Sequence, residues 1–265
     1  MSLTPILAIF KRDLRLALSY RFDFIIRAFS ALFSVVLWYY LSVFLKPDQS
    51  LIGTSDYFTY VIVGMALLSY INVMLFTFSQ KIRQDQLMGT LEYIMASPVS
   101  PTILLFSSTI WEIFMETLHL LFFFIFAIIL GAKFHLVSYV ALFTIFVLTL
   151  ISFGSLGIIA SSFLLVFKRG EPITPFVTAF FALLGNIFFP AKILPASLKT
   201  ISLFIPLPYA VEGIRKVTIQ GASFSNVLPE FTALLIFSLI LIPLAVLSLN
   251  FSLKIAKKYG LLAIY

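Results

Sequence analysis

The sequence contains no cysteine, only two histidines and few charges, with Asp, Glu, Lys and Arg making up 11% of 265 residues. An average soluble domain carries about 25%. Without cysteine there is no disulfide, no thiol nucleophile and no thiolate metal site. With His119 and His135 as the only imidazoles, and His135 in a short loop, no second histidine or carboxylate cluster supports a metal or catalytic site, and none is expected. No G-x-x-x-x-G-K-[ST] phosphate loop occurs, so the chain is not expected to hydrolyse nucleotide by itself. No catalytic residue, metal site or bound cofactor is therefore assigned to it. Internal repeats are absent, as is any linker long enough to separate domains.

What is abundant is apolar surface. Hydrophobic residues make up 61% of the chain, phenylalanine occurs 31 times and the mean hydropathy is +1.10. A chain of this kind is an integral membrane protein, and its backbone must be satisfied internally, which predicts an all-α fold. A span needs roughly 20 apolar residues. Runs at 28–45, 57–80, 93–132 (through two glutamates), 136–167, 172–191 and 231–253 predict six transmembrane helices in a single domain, 1–265. Residues 1–21 read as an amphipathic interfacial helix, with Leu7, Phe10, Leu14 and Leu18 opposite Lys11, Arg12 and Arg15. No small-residue cleavage site follows the first apolar run, so an uncleaved anchor is expected. Segment 192–230 differs in kind. Pro195, Pro206, Pro208 and Pro229 punctuate apolar stretches too short to span, which predicts re-entrant helices between spans five and six.

The net charge of +7 bears on topology and not on nucleic acid. With both termini inside, twelve of the eighteen basic residues fall on the inner side, so cytoplasmic termini are expected. The proline-rich 192–230 segment then faces outward, and the loop after span two faces the cytoplasm.

That loop, 86–101, is the most distinctive stretch. Gly89-Thr90 precede Leu91 and Glu92, and Ser97-Pro98 and Ser100-Pro101 close it. Thr90 can cap a short helix and the prolines end it. A docking handle and a helix resting on headgroups both fit these residues. Glu112, Glu116 and His119 recur at i, i+4 and i+7 and share one face of the third span. They read either as interfacial or helix-pairing groups or as the polar lining of a pathway. Gly154, Gly157, Ser152, Ser155, Ser161 and Ser162 give the fourth span a small-residue face, for packing within the chain or against a second subunit. Phe33, Trp38, Tyr39 and Tyr40 form an aromatic cluster in the outer half of the first span, as an interfacial belt or a contact surface.

Together these features resemble the transmembrane permease subunits of type-2 ABC exporters over essentially the whole chain. The resemblance rests on Lys11-Arg12-Asp13-Leu14-Arg15 leading into span one, on Gly89-Thr90-Leu91-Glu92 with Ser97-Pro98, and on Asn186-Ile187-Phe188-Phe189-Pro190, Leu194-Pro195, Ile205-Pro206-Leu207-Pro208-Tyr209 and Arg215. It implies that 86–101 is a coupling helix, with Gly89, Thr90, Leu91, Glu92, Ser97 and Pro98 meeting the partner. It implies an outer gate at Pro190, Pro195, Pro206, Pro208 and Tyr209. It also implies two cytoplasmic ATP-binding subunits carrying ATP and magnesium, and a second permease copy, as a homodimer in the cell membrane. Glu112, Glu116 and His119 would then be candidates to line the pathway. The scarcity of internal charge favours an amphiphilic or hydrophobic cargo such as a drug, antibiotic or lipid-like molecule. Alternatives are a lipid-linked glycan exporter of the same family, a gradient-driven secondary transporter, and an assembly factor that uses the same helix as a docking site.

Overall fold

A computed structural model describes residues 4–19, 21–45, 56–89, 101–167, 173–190 and 193–258. The described residues form helices and no strand. In chain order they are α1 (Thr4–Ser19), α2 (Arg21–Leu45), α3 (Tyr57–Leu87), α4 (Pro101–Ile129), α5 (Tyr139–Phe167), α6 (Ile173–Leu184), α7 (Ala196–Ser202), α8 (Pro206–Thr218), a 3-10 turn (Phe224–Val227) and α9 (Leu228–Lys258). Five of them, α2, α3, α4, α5 and α9, are long and apolar enough to cross a membrane.

The central element is α3, which packs on α2, α4, α5, α6 and α8. Asp56 sets its start by accepting the Phe58 N–H at 3.1 Å, and the Thr59 hydroxyl also bonds this carboxylate. Direction follows from cross-contacts. Thr59 Oγ1 accepts the Lys133 N–H at 3.0 Å while Ser69, further along α3, bonds Glu116, so α4 runs antiparallel to α3. Ser152 meets Ser238 at 3.0 Å and Ser162 meets Ser248 at 3.4 Å, both pairs 86 residues apart, so α5 and α9 run parallel. The bundle therefore has a Tyr57 end, which also carries Lys133 and Tyr139, and a Leu87 end.

The small-residue face of α5 is used inside the chain. A Cβ added at Gly157 would lie 2.1 Å from the Met74 carbonyl oxygen, so only glycine lets the α5 and α3 backbones touch. Ser152 and Ser162 turn toward α9. At the Leu87 end α1 lies against the start of α4, where the Phe10 ring sits 5.4 Å from Trp111 and 5.4 Å from Phe114.

The fifth apolar run departs from a plain span. Helix α6 has 12 residues, about 18 Å at 1.5 Å per residue, whereas the hydrocarbon core is about 30 Å thick. It stops because Asn186 takes a left-handed conformation (φ +62°), with the Gly185 N–H closing onto Phe181 O at 2.8 Å. Residues 185–190 then run on without helix to Pro190. Apolar composition signals burial in a run of this kind but not the conformation of the backbone within it.

In the proline-rich segment, Pro206 occupies the first turn of α8, where its missing N–H costs nothing. Leu207, Ala210, Val211, Ile214 and Val217 then form a buried stripe at helical spacing, wedged into the main core with Ile145, Phe153 and Leu184. Helix α8 is thus packed into the bundle, whereas most of 193–204 is exposed. In the 86–101 loop, α3 continues through Lys81, Arg83 and Asp85 to Leu87, and Met88 and Gly89 turn. Residues 90–100 lie outside the described residues.

Candidate functional site

Two polar clusters interrupt the apolar interior. The larger, at the Tyr57 end, is built where α3, α8 and the break after α6 meet. Beyond the helix end at Leu184 the carbonyls of 186 and 187 have no helical donors of their own. Arg215, from the last turn of α8, donates to them. Its Nη1 donates to Asn186 O, its Nη2 to Ile187 O at 2.6 Å, and Nε and Nη2 both donate to Tyr60 O at 3.1 and 2.9 Å. The guanidinium carbon also stands 3.3 Å from the centroid of the Tyr60 ring, in cation–π contact. Only a planar guanidinium can fork to three carbonyls in this way. The residue is 3% exposed, so its charge is met by these carbonyls and the ring and not by solvent.

Neighbouring groups complete the cluster. The Tyr60 hydroxyl donates to Asn186 Oδ1 at 3.1 Å, and Asn186 Nδ2 donates to Glu212 Oε2 at 3.2 Å. Tyr57 donates to Phe188 O at 3.1 Å, and the Phe188 ring stacks on Trp38 at 5.1 Å. Gly64 makes room for all of this. A Cβ there would lie 2.7 Å from Arg215 Nη2 and 3.1 Å from Ile187 O.

The residues expected to form a gate take no part in these bonds. Pro206 is buried, Pro190 and Pro208 are half-buried, and Pro195 is exposed before α7. Half-buried Tyr209 donates to Leu203 O at 3.2 Å and leans on Phe237. The sequence reading named Asn186 and Arg215 only as motif members and passed over Tyr60, Gly64 and Glu212. The available signal was charged Glu212 and Arg215 within an otherwise apolar, proline-started helix.

The second cluster lies halfway along the bundle. Glu116 is buried and accepts the Ser69 hydroxyl, Tyr70 pairs with Thr117 at 2.8 Å, and Thr178 donates to Asn72 at 3.0 Å. These bonds make a polar layer from α4 across α3 to α6. Glu112, one turn toward the Leu87 end, is half-buried within electrostatic reach of Arg27, Asp13 and Asp23, where α1 and α2 meet α4. His119 is half-buried on the same helix. The three residues share α4 as expected, but Glu116 serves α3 while Glu112 faces the α1–α2 corner. Ser69, Tyr70 and Asn72 were missed, since hydroxyls and amides barely register in an apolar run.

Of the expected coupling residues, Gly89 is described. It is exposed, takes φ +66°, and a Cβ there would meet nothing within 4 Å. Thr90, Leu91, Glu92, Ser97 and Pro98 lie outside the described residues.

A family profile, ABC-2 family transporter protein, matches residues 40–247, from the end of α2 to the middle of α9, both clusters included. The chain belongs to the ABC-2 transporter family. No curated protein matches it. As an ABC-2 permease it is a multi-pass membrane protein and a transport subunit, and membership implies association with an ABC ATP-binding subunit. The five long apolar helices agree with that assignment.

Proposed function

We propose that this ABC-2 permease is the membrane subunit of an ATP-driven exporter that moves an amphiphilic or hydrophobic substrate out of the cytoplasm or inner leaflet. Two copies would pair as a homodimer in the cell membrane. Two ATP-binding subunits, carrying ATP and magnesium, would dock on 86–101 through Gly89, Thr90, Leu91, Glu92, Ser97 and Pro98. The observation that carries the reading is the family match over 40–247 in a chain that has no phosphate loop of its own.

Other features support parts of it. The parallel course of α5 and α9 requires one return between them, and α6 with 185–190 is the segment available for a sixth crossing. The Leu87 end carries Lys81, Arg83, Lys254 and Lys258 along with basic α1, which favours that end and both termini as cytoplasmic. At the opposite end Arg215 is spent on internal carbonyls, so it adds nothing to the outer loop charge. On this orientation Pro190, Pro195, Pro206, Pro208 and Tyr209 belong to an outer gate held closed over the exit. The polar layer at Glu116, with Glu112 and His119, is the best candidate for a pathway lining.

The test is to purify the tagged chain in mild detergent from its native membrane, identify what accompanies it and assay ATPase activity. A stoichiometric ATP-binding protein is expected, and it should be lost with Glu92→Lys or Gly89→Pro. Proline cannot adopt the φ of +66° found at Gly89. Because that site is exposed, the loss would not be a core defect. A chain that emerges alone and transports on an ion gradient would overturn the reading.

A further inference from the structure

Beside the Arg215 cluster lies a cavity of about 600 Å³ whose walls are almost entirely carbon. Val63 and Leu67 of α3, Phe124 of α4, Phe146 of α5, Ile214 of α8 and Phe134 of the α4–α5 connection line it. Its size falls among small-ligand sites, typically about 300–1,000 Å³. Its rim includes Ile128, Tyr139 and Phe143, all strongly exposed and all on helices long and apolar enough to cross a membrane. In a bilayer such exposed apolar side chains would face lipid, from the level of Tyr139 at the helix start inward.

The connection above it adds charge. Residues 132–138 form neither helix nor strand, and exposure alternates along them. Phe134 and Leu136 line the cavity, while Lys133 and His135, which alternate with them, are exposed. The segment is pinned in place, since Lys133 N–H bonds Thr59 at the start of α3 and His135 N–H bonds Thr218 O at 2.7 Å at the end of α8. Lys133 therefore stands level with the ends of α3, α4 and α5, where headgroups lie. It makes no ion pair among the described residues.

From this geometry we infer that the cavity holds an acyl chain of an anionic bilayer phospholipid, with Lys133 attracting its phosphate headgroup. Ile214 and Thr218 of the lining flank Arg215 on the same helix, so an occupied cavity would brace α8 and, through it, the clamp on 186–187. The inference needs only a membrane-embedded chain and is independent of the transport reading.

The chain has two tryptophans, Trp38 and Trp111, so a single reporter can be installed in a Trp38→Phe, Trp111→Phe background. With Phe134→Trp as reporter, the protein is reconstituted in phosphatidylcholine vesicles containing either acyl-brominated phosphatidylglycerol or acyl-brominated phosphatidylcholine at equal mole fraction. Bromine quenching should favour the phosphatidylglycerol arm about fivefold in apparent affinity, the effect of one basic group near anionic lipid. Lys133→Glu should erase the preference, and Ala66→Phe, which fills the cavity, should lower quenching in both arms. A reporter at exposed Leu247 on α9 should not distinguish the two lipids. A parallel measurement needs no variant. Native mass spectrometry of the unmodified protein from vesicles of the two lipids in equal amounts should show retained phosphatidylglycerol. An unquenched reporter in the Phe134→Trp protein, equal quenching by both headgroups at that site, or unselective lipid retention would each overturn the proposal.

Discussion

The two polar clusters of this permease solve the same physical problem in opposite ways. Around Arg215 the donors of one side chain are matched to the carbonyls of Tyr60, Asn186 and Ile187, with an aromatic face against the cation and Gly64 cleared to admit it. Around Glu116, a carboxylate accepts one hydroxyl, from Ser69, among the described residues, and its neighbours pair hydroxyl with hydroxyl or amide. The saturated cluster is an architectural joint that supplies donors to carbonyls just beyond the end of α6 and ties them to α3. The sparse one retains bonding capacity, which is what a passing substrate or a moving helix would use. Burial of charge alone does not mark function; the number of partners already engaged separates the two cases.

Substitutions can break or sharpen that contrast. The largest effect is expected at Arg215. Arg215→Ala removes the side-chain donors to Asn186 O, Ile187 O and Tyr60 O, and since each buried carbonyl left unsatisfied costs about 1–3 kcal/mol, most of the protein should be lost from the monodisperse peak on size exclusion. Arg215→Lys should not rescue it, because an ammonium cannot fork to all three carbonyls. Next comes Gly64→Ala, whose Cβ would press on the guanidinium and on Ile187 O. It should cost about 1–3 kcal/mol, read as a lower thermal midpoint. If Gly64→Ala proved neutral, the clamp would be looser than the distances imply.

Glu116→Gln keeps an acceptor for Ser69 and should change stability by about 1 kcal/mol or less, the gap between a charge-assisted and a neutral bond. Substrate efflux should fall much more than the thermal midpoint. Unchanged efflux and assembly would remove the pathway role and make the two clusters alike. The smallest effect is expected for Asp23→Asn, which breaks the i,i+4 pair with Arg27 at 2.9 Å on a partly exposed helix face. About 0.3–0.5 kcal/mol is expected there, a thermal shift near the limit of measurement.

Much of the fold was readable from local chemistry. The apolar runs located α2, α3, α4, α5 and α9. The small residues of α5 were readable as a packing face, but whether they served a helix of this chain or a second subunit was not. Gly157 against Met74 and Ser152 against Ser238 resolve it in favour of packing within the chain for those residues. The polar layer was half legible. Glu112, Glu116 and His119 announced themselves by charge, whereas Ser69, Tyr70 and Asn72 did not, because their side chains add little polarity to a run that remains apolar on average.

Hydropathy acts through neighbouring residues, and it was enough to make this chain a helical membrane protein. The interruption of the fifth apolar run at Asn186, and the arginine that makes the interruption tolerable, belong to the tertiary structure. Arg215 reaches carbonyls 28, 29 and 155 residues away. A broken helix in a water-free interior is stable only where another segment brings donors to it, and no local pattern along the chain encodes that meeting.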